Sequence, residues 1–366
     1  MGVKQFGARV TRLEDQSLLT GRGRFVDDVH LPGTLIASFV RSSHAHARVR
    51  SIDTGAAAAM PGVAAVLTAR DLPGPAARER MPMLVPNAAI KALRTQHALA
   101  VDEVCYVGQS IAVVVADSRY AAEDAAARVA VDYDVLPAVG DLKGALLPGA
   151  PRAHADLETN LASAFDMQYG DADAAFASAT HVLAESMWQH RGGGMAMETR
   201  AVLATHDPAT DTLTVWAGTQ TPHIARRMLA DQLGRNPDAI RYIAPDVGGG
   251  FGPKAIFYPE ETVIASAALK LGRPVKWIED RREHFMCATQ VRDQYWDVEI
   301  AVDADARVLG VRGTMLHDTG AFVPWGIIMP YIAAATMPGP YVVPAYKLSV
   351  RVALTNKVPI TRSRCA

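Results

Sequence analysis

Cysteine is scarce: the 366 residues include only Cys105, Cys287 and Cys365. They are widely separated, form no CxxC pair and have no histidine at ligand spacing, so neither a disulfide framework nor a zinc motif is legible. The reducing cytoplasm is the expected compartment. An excess of charge of one sign is also missing, with 37 basic residues against 38 acidic ones and a formal net charge of −1. No global field gathers nucleic acid, an anionic membrane or a polyanionic substrate, so none of these is an expected partner. No stretch approaches the ~20 apolar residues that span a bilayer. The opening "MGVKQFGARVTRLEDQSLLTGRGRF" carries charges early and lacks the apolar stretch of a signal peptide. Recognition must come from local sites.

Glycine and proline, in contrast, are plentiful, at 28 and 22 residues. A prior of roughly 150 residues per domain suggests two or more domains, each able to bury a core. Short apolar runs such as "TLIASFV" and "GVAAVLTA", broken by "LPG" and "MPG", read as strands and turns, with a helix near Asp53 to Met60. Residues 72 to 95 read as a loop excursion. "GQSIAVVVADSRYAAEDAAARVAVDYDVLPAV" predicts a buried strand, a helix N-capped by Ser118 and a second strand, in the manner of a βαβ unit. The Gly/Pro-rich segment after residue 140 predicts a linker. The expected organisation is a first domain over 18–140, a linker over 141–165 and a second domain over 166–366. In the second, strands lead to a helix from Pro222 to Gly234 with Ile224, Met228, Leu229 and Leu233 on one face. The strand "AIRYIAP" then enters "PDVGGGFGPK", and a further helix runs from Pro259 to Leu271, stopped by Gly272. Later alternating segments predict a sheet with a hairpin turn at "DADA", and the mixture reads as α+β.

The glycine loop asks for an explanation. It is not GxGxxG, because Pro253 stands where the last glycine belongs, and it is not a phosphate-binding GxxxxGK[ST], because Ala255 follows Lys254. What remains is a run of backbone N–H groups without Cβ barriers, expected to enter a helix N-terminus and suited to anionic oxygens or a metal-oxo group. The alternative is a tight turn where sheet and helix pack closely. Gln220, in "GTQTPH", offers an amide donor just before the Pro222 helix, or simply solvates that helix start. "HRGGGMAMETR" places a second glycine triplet near Glu198, read either as an orienting carboxylate beside a ligand or as a strand residue after a bulge. "EDRREHF", from Glu279 to Phe285, reads as a charged helix start or turn network, a solvated face rather than a catalytic cluster. His206, His223 and His317 show no ligand spacing and are expected to be structural.

Taken in order, "RLEDQSLLTGRGRFVDDVHLPG", "VRSSHAHARV", "YVGQSIAVVVADSRYAAEDAAARVAVDYD", "METRAVLA", "GTQTPH", "VGGGFGPK", "GRPVKWIEDRREHF" and "LTNKVPITRSRCA" resemble the N-terminal half of the molybdopterin-binding large subunit of the xanthine oxidase, aldehyde oxidase and carbon monoxide dehydrogenase family. The resemblance implies an α/β hammerhead domain followed by the first molybdopterin-binding domain, with mixed sheets and packed helices. It implies a molybdenum cofactor, as molybdopterin or its cytosine dinucleotide, held through the cofactor's own dithiolene, so no direct metal ligand is expected from the chain. Gln220 would face the metal's apical oxo group, and Gly249, Gly250, Phe251 and Gly252 would line its oxygen ligands and the pterin. Arg364 would belong to the cofactor site, with Glu198 and Cys365 on the substrate side. The family hydroxylates small substrates such as aldehydes and N-heterocycles with oxygen from water, passing electrons through two-iron two-sulfur clusters to FAD. Three scattered cysteines cannot hold such clusters, so an iron–sulfur subunit and an FAD subunit are implied partners.

Three features depart from the family pattern. The purine-oxidising branch carries an acid immediately after the loop lysine, where this chain has Ala255, which disfavours a xanthine-type substrate. Cys365 stands where the carbon monoxide branch has a copper-ligating cysteine and most other members have glycine. Family subunits are also about twice this long, with the catalytic general-base glutamate in their C-terminal half, so no catalytic residue is expected here. The expectation is a second chain completing the site, or otherwise a truncated fragment or non-catalytic assembly module.

Overall fold

A computed structural model describes residues 6–362; Arg364 and Cys365 lie outside the described residues. The first part of the chain forms strands β1 (Leu35–Arg41), β2 (Ala47–Asp53), β3 (Val63–Thr68), β4 (Glu103–Val104), β5 (Ser110–Ala116) and β6 (Ala130–Val135), with short helices α1 (Asp15–Leu19), α2 (Gly55–Ala58) and α3 (Arg119–Ala126). Then come β7 (Leu161–Tyr169), α4 (Ala172–Ala177), β8 (His181–Gln189), β9 (Ala201–Asp207), β10 (Thr212–Ala217), α5 (Pro222–Leu233) and β11 (Ile240–Ile243). The last third holds α6 (Pro259–Leu271), β12 (Val275–Ile278), α7 (Arg281–Cys287), β13 (Gln294–Val302), β14 (Val308–Asp318), α8 (Ile328–Thr336) and β15 (Tyr346–Ala353).

Three sheets organise these elements: a seven-stranded sheet β11-β10-β9-β12-β1-β5-β3, a five-stranded sheet β7-β15-β14-β13-β8 and a three-stranded sheet β4-β2-β6. The first and second mix parallel and antiparallel pairs: β1 runs parallel to β12 and antiparallel to β5, while β14 runs parallel to β15 and antiparallel to β13. The seven-stranded sheet takes β1, β3 and β5 from before residue 140 and four strands from after residue 200. Its core is correspondingly continuous, joining Leu35, Val113, Val202, Leu229, Ile264 and Trp277. Residues 141–160 carry no strand or helix, yet Leu142, Ala145, Ala153 and Asn160 are buried against the second sheet's core, so this segment is packed into the molecule.

The strand–helix–strand run around Ser118 forms with the expected cap, Ser118 Oγ accepting from the Ala121 N–H at 3.2 Å. It is not a βαβ unit, however. β5 lies between β1 and β3 in the large sheet, whereas β6 pairs with β2 in the small one. The fully buried β5 and the alternating β6 find different partners because one can be covered on both faces and the other on one. α5 and α6 begin at prolines and end at left-handed Gly234 (φ 62°) and Gly272 (φ 60°), as their sequences predict. The first ten residues of α6 are all buried, and the helix packs on β9 and β12 behind the loop that precedes it. "DADA" does turn the β13–β14 hairpin, with Ala306 left-handed at φ 62°.

Candidate cofactor site

Three segments meet around the glycine loop: the end of β10 with Gln220, the stretch from Arg191 to Glu198 after β8, and residues 248–252 after β11. Backbone approaches there are closer than side chains allow. A Cβ on Gly250 would lie 2.4 Å from Gln220 Cδ, and one on Gly248 would lie 2.5 Å from Glu198 Cβ. Gly249 (φ 99°) and Gly252 (φ 106°) occupy conformations that disfavour L side chains. The second triplet joins the first, since a Cβ on Gly194 would meet Phe251 Cβ and Pro253 Cδ at 3.0 Å. Both glycine runs therefore serve one close-packed wall, with the Phe251 ring half exposed on it.

Glu198 holds this wall from behind. Its Oε2 accepts from the Gly248 N–H at 2.8 Å and from Lys254 Nζ at 2.6 Å, so one carboxylate oxygen ties the two ends of the loop. Lys254 is buried, and burial lowers its pKa against the pull of Glu198. Gln220 is fixed twice: its N–H donates to the Lys254 carbonyl at 2.8 Å, and its Oε1 accepts from the Gly252 N–H at 3.0 Å. That second bond assigns the amide oxygen to the loop and leaves Nε2 as a donor on an exposed residue. Among the described residues, the N–H groups of Gly249, Gly250 and Phe251 meet no acceptor. The wall thus presents backbone donors and an amide donor, preorganised for anionic oxygen.

The loop does not open α6. Gly252 instead starts a one-turn 3-10 helix over Pro253–Ala255, and α6 begins four residues later at Pro259. The expected contribution from an α-helix N-terminus is therefore replaced by backbone N–H groups of the loop itself, because Phe257 and Tyr258 must first turn the chain into the core.

"EDRREHF" does form a charged helix start, but it is not a solvated face. Asp280 caps α7, accepting from the Glu283 N–H at 2.8 Å, but Glu279 and His284 are buried. Glu279 accepts from Arg200 Nε and from the Arg200 N–H, both at 2.9 Å, and His284 Nδ1 lies 2.8 Å away. Burial alone would raise the Glu279 pKa, yet Arg200 and His284 outweigh it and hold it at about 2. Arg200 also reaches Glu260 at 3.2 Å, Arg41 joins Glu260 at 3.0 Å and Glu283 at 2.8 Å, and the Arg200 guanidinium lies 4.0 Å from the Tyr258 ring centroid. Sequence reasoning missed this network because Arg41, Arg200 and Glu260 stand far apart in the chain and carry no local spacing signal.

A cavity of about 760 Å³ lies elsewhere, between β1, β12 and α3 around Arg41 and Trp277. The wall's free donors, beside an exposed Gln220 and a half-exposed Phe251, mark it as a site. His317 is buried and bonded to Gln294 Nε2 at 3.0 Å, and His206 pairs with Asp211 at 2.9 Å.

Residues 153–366 match the family profile described as "Molybdopterin cofactor-binding domain", and residues 20–137 match "Aldehyde oxidase and xanthine dehydrogenase, a/b hammerhead domain". The nicotine 6-hydroxylase large subunit of Paenarthrobacter nicotinovorans is 38% identical over 358 residues, covering 97% of this chain and 43% of that protein. The nicotinate dehydrogenase large molybdopterin subunit of Eubacterium barkeri is 28% identical over 350 residues, covering 96% of this chain and 79% of that protein. In three dimensions the chain superimposes on quinoline 2-oxidoreductase from Pseudomonas putida 86 with a TM-score of 0.90 and 37% identity, over 98% of this chain and 45% of that one. The chain therefore spans less than half the length of the first relative and most of the length of the second. A molybdopterin-binding profile over more than half the chain, a hammerhead profile before it and a donor wall built from both glycine runs establish the conclusion: this chain belongs to the xanthine oxidase family of molybdenum-binding subunits.

Proposed function

We propose that this chain forms the N-terminal wall of the active site in a molybdenum hydroxylase that oxidises a ring carbon of an aromatic N-heterocycle with water as the oxygen source. The observation that carries this reading is the set of fixed donors: Gln220 Nε2, freed by the bond from Gly252 N–H to Oε1, beside the N–H groups of Gly249 to Phe251, which meet no acceptor among the described residues. Donors locked before the reaction stabilise developing negative charge without reorganising. When bound, the molybdenum cofactor supplies the oxidising centre. Gln220 and the loop N–H groups would hold it by donating hydrogen bonds to its oxygen atoms, with Phe251 on the same wall. Glu198 and Lys254 keep the loop in place. Arg364 is assigned to the cofactor site and Cys365 to the substrate side on the family pattern.

The heterocycle assignment rests on three of the relatives, a nicotine hydroxylase, a nicotinate dehydrogenase and a quinoline oxidoreductase. Ala255 speaks against a purine, since the residue after the loop lysine is an apolar one, fully buried beside Trp325. We assign the general base to a C-terminal half supplied by another chain, and the two-iron two-sulfur clusters and FAD to separate subunits. A cytosine dinucleotide form of the pterin and a cytoplasmic location complete the reading. A second chain is supported by two features. The Eubacterium barkeri subunit is itself of comparable length. Strand β8, at the edge of its sheet, is exposed along all nine residues, including Val182, Leu183, Met187 and Trp188.

The reading is tested by purifying the chain with the products of its neighbouring reading frames and supplying quinoline or nicotinate in ¹⁸O-labelled water. Incorporation of one ¹⁸O into a hydroxylated ring is expected. Hydroxylation with oxygen from O₂, or oxidation of xanthine in preference to both heterocycles, contradicts it.

A further inference from the structure

Away from the glycine wall, the fold brings together Glu103, Cys105 and His154, three residues of metal-ligating type whose donor atoms lie within 4.8 Å of one another. Cys105 and His154 are each about 1% exposed. Cys105 Sγ stands 3.3 Å from His154 Nδ1, and that nitrogen stands 3.7 Å from Glu103 Oε2. In a tetrahedral zinc site with bonds of ~2.0–2.3 Å, ligand atoms are separated by about 3.3–3.6 Å. The Cys105–His154 pair already meets that geometry, and Glu103 must move closer to both to complete it.

The surrounding bonds aim the lone pairs inward. His154 Nε2 donates to the Ala321 carbonyl at 2.6 Å, so it carries the ring proton and Nδ1 of the neutral ring is a bare acceptor facing Cys105 and Glu103. A ring nitrogen held this way by a backbone carbonyl is the usual support of a metal-bound histidine. Glu103 Oε1 is occupied by His46 Nε2 at 2.8 Å and by the Ala155 N–H at 2.7 Å, which leaves Oε2 toward the cluster. The Cys105 backbone is pinned at both ends, its N–H donating to Gln109 Oε1 at 2.8 Å and its carbonyl accepting from Asn356 Nδ2 at 3.0 Å. All three residues line a cavity of about 580 Å³, whose rim carries Arg48, Arg78 and Arg80, so an entry path and room for a fourth ligand exist.

We propose that Glu103 Oε2, Cys105 Sγ and His154 Nδ1 bind one zinc ion, with water from the cavity in the fourth position. One thiolate, one carboxylate and one imidazole form a mixed donor set suited to zinc. Binding releases the Cys105 thiol proton to solvent, and the thiolate and carboxylate charges then balance the dication. The ion staples β4 to the segment at 153–155, which no sheet connects. This site stands independently of the molybdenum reading, since it shares no residue with the glycine wall.

Cobalt(II), a spectroscopic stand-in for zinc, tests it on the metal-stripped chain. One equivalent is expected to produce a thiolate-to-cobalt charge-transfer band in the near ultraviolet, displaced by one equivalent of zinc. Cys105→Ser and His154→Ala should abolish the band, and Cys287→Ser and Cys365→Ser should keep it. His46→Gln, which alters only the carboxylate's support, should weaken zinc binding ~10–100-fold. No band in the unmodified chain, or a band that survives Cys105→Ser, overturns the proposal. If Cys105→Ser fails to fold, the His46→Gln titration decides it, and unchanged affinity there counts against the site.

Discussion

Lys254 is the residue on which the glycine loop turns, because its carbonyl holds Gln220 and its ammonium is buried against Glu198. Glu198→Ala should cost about 3 kcal/mol of folding stability, since it leaves a buried cation without its partner. Lys254→Met in the same chain should recover most of that loss, and denaturant titration of the two single variants and the double variant measures it. A double variant no more stable than Glu198→Ala would show that the pair does not act as a unit. The pH dependence is also set by single residues. Burial, helped by Arg191, pushes the His317 imidazole down to about 3 from an ordinary 6.5. The unfolded ring then binds a proton that the folded ring refuses, so its stabilisation is complete above pH 6.5 and is lost as pH falls toward 3. Glu279, lowered to about 2 from 4.5, adds a loss between those values. His46 works in the opposite sense. Its pKa is raised because Glu103 and the Pro137 carbonyl outweigh burial, so its stabilisation is present below 6.5 and fades as pH rises through its folded value. Urea midpoints should therefore fall between pH 6.5 and 4, and His317→Gln should flatten that fall. Gln220 and Glu198 were legible as candidates from local motifs. The bond that fixes which end of the Gln220 amide faces outward was not, since it depends on a loop 32 residues away.

Among the elements, those with punctuation at both ends were legible. α5 and α6 have proline at the start and a left-handed glycine after the end, and both occur where the sequence places them. Strand partners were not legible: β5 and β6 are separated by one helix yet enter different sheets, because pairing is decided by distant β1, β3 and β2. β8 illustrates the same limit. Its sequence reads as a strand, but nothing local tells that Val182 and Trp188 on one face and Leu183 and Met187 on the other all remain exposed. An edge strand bare on both faces is a template for association. Amide hydrogen exchange at the β8 N–H groups that do not bond β13 should be fast in the isolated chain and strongly slowed in the assembly with the proposed second chain. Equal exchange in both states would place that chain elsewhere.

At the scale of the whole molecule, the seven-stranded sheet explains how the two family segments cooperate. Strands from the hammerhead segment and from the molybdopterin-binding segment share one sheet and one core, with α6 packed behind the glycine wall. The order of short motifs along the chain made the family legible where no single motif sufficed. The continuous core was not legible, because a Gly/Pro-rich stretch such as 141–160 looks like a linker whether or not it packs. The central claim is that Gln220 and residues 249–252 wall a molybdenum cofactor, and the molybdenum content of the assembly purified from cells that synthesise molybdopterin tests it most directly. The account predicts about one molybdenum per chain, with cytosine nucleotide released on acid treatment, and a marked loss in Gly250→Ala, whose new methyl must displace Gln220. An assembly without molybdenum, or a Gly250→Ala variant that retains all of it, would contradict the account.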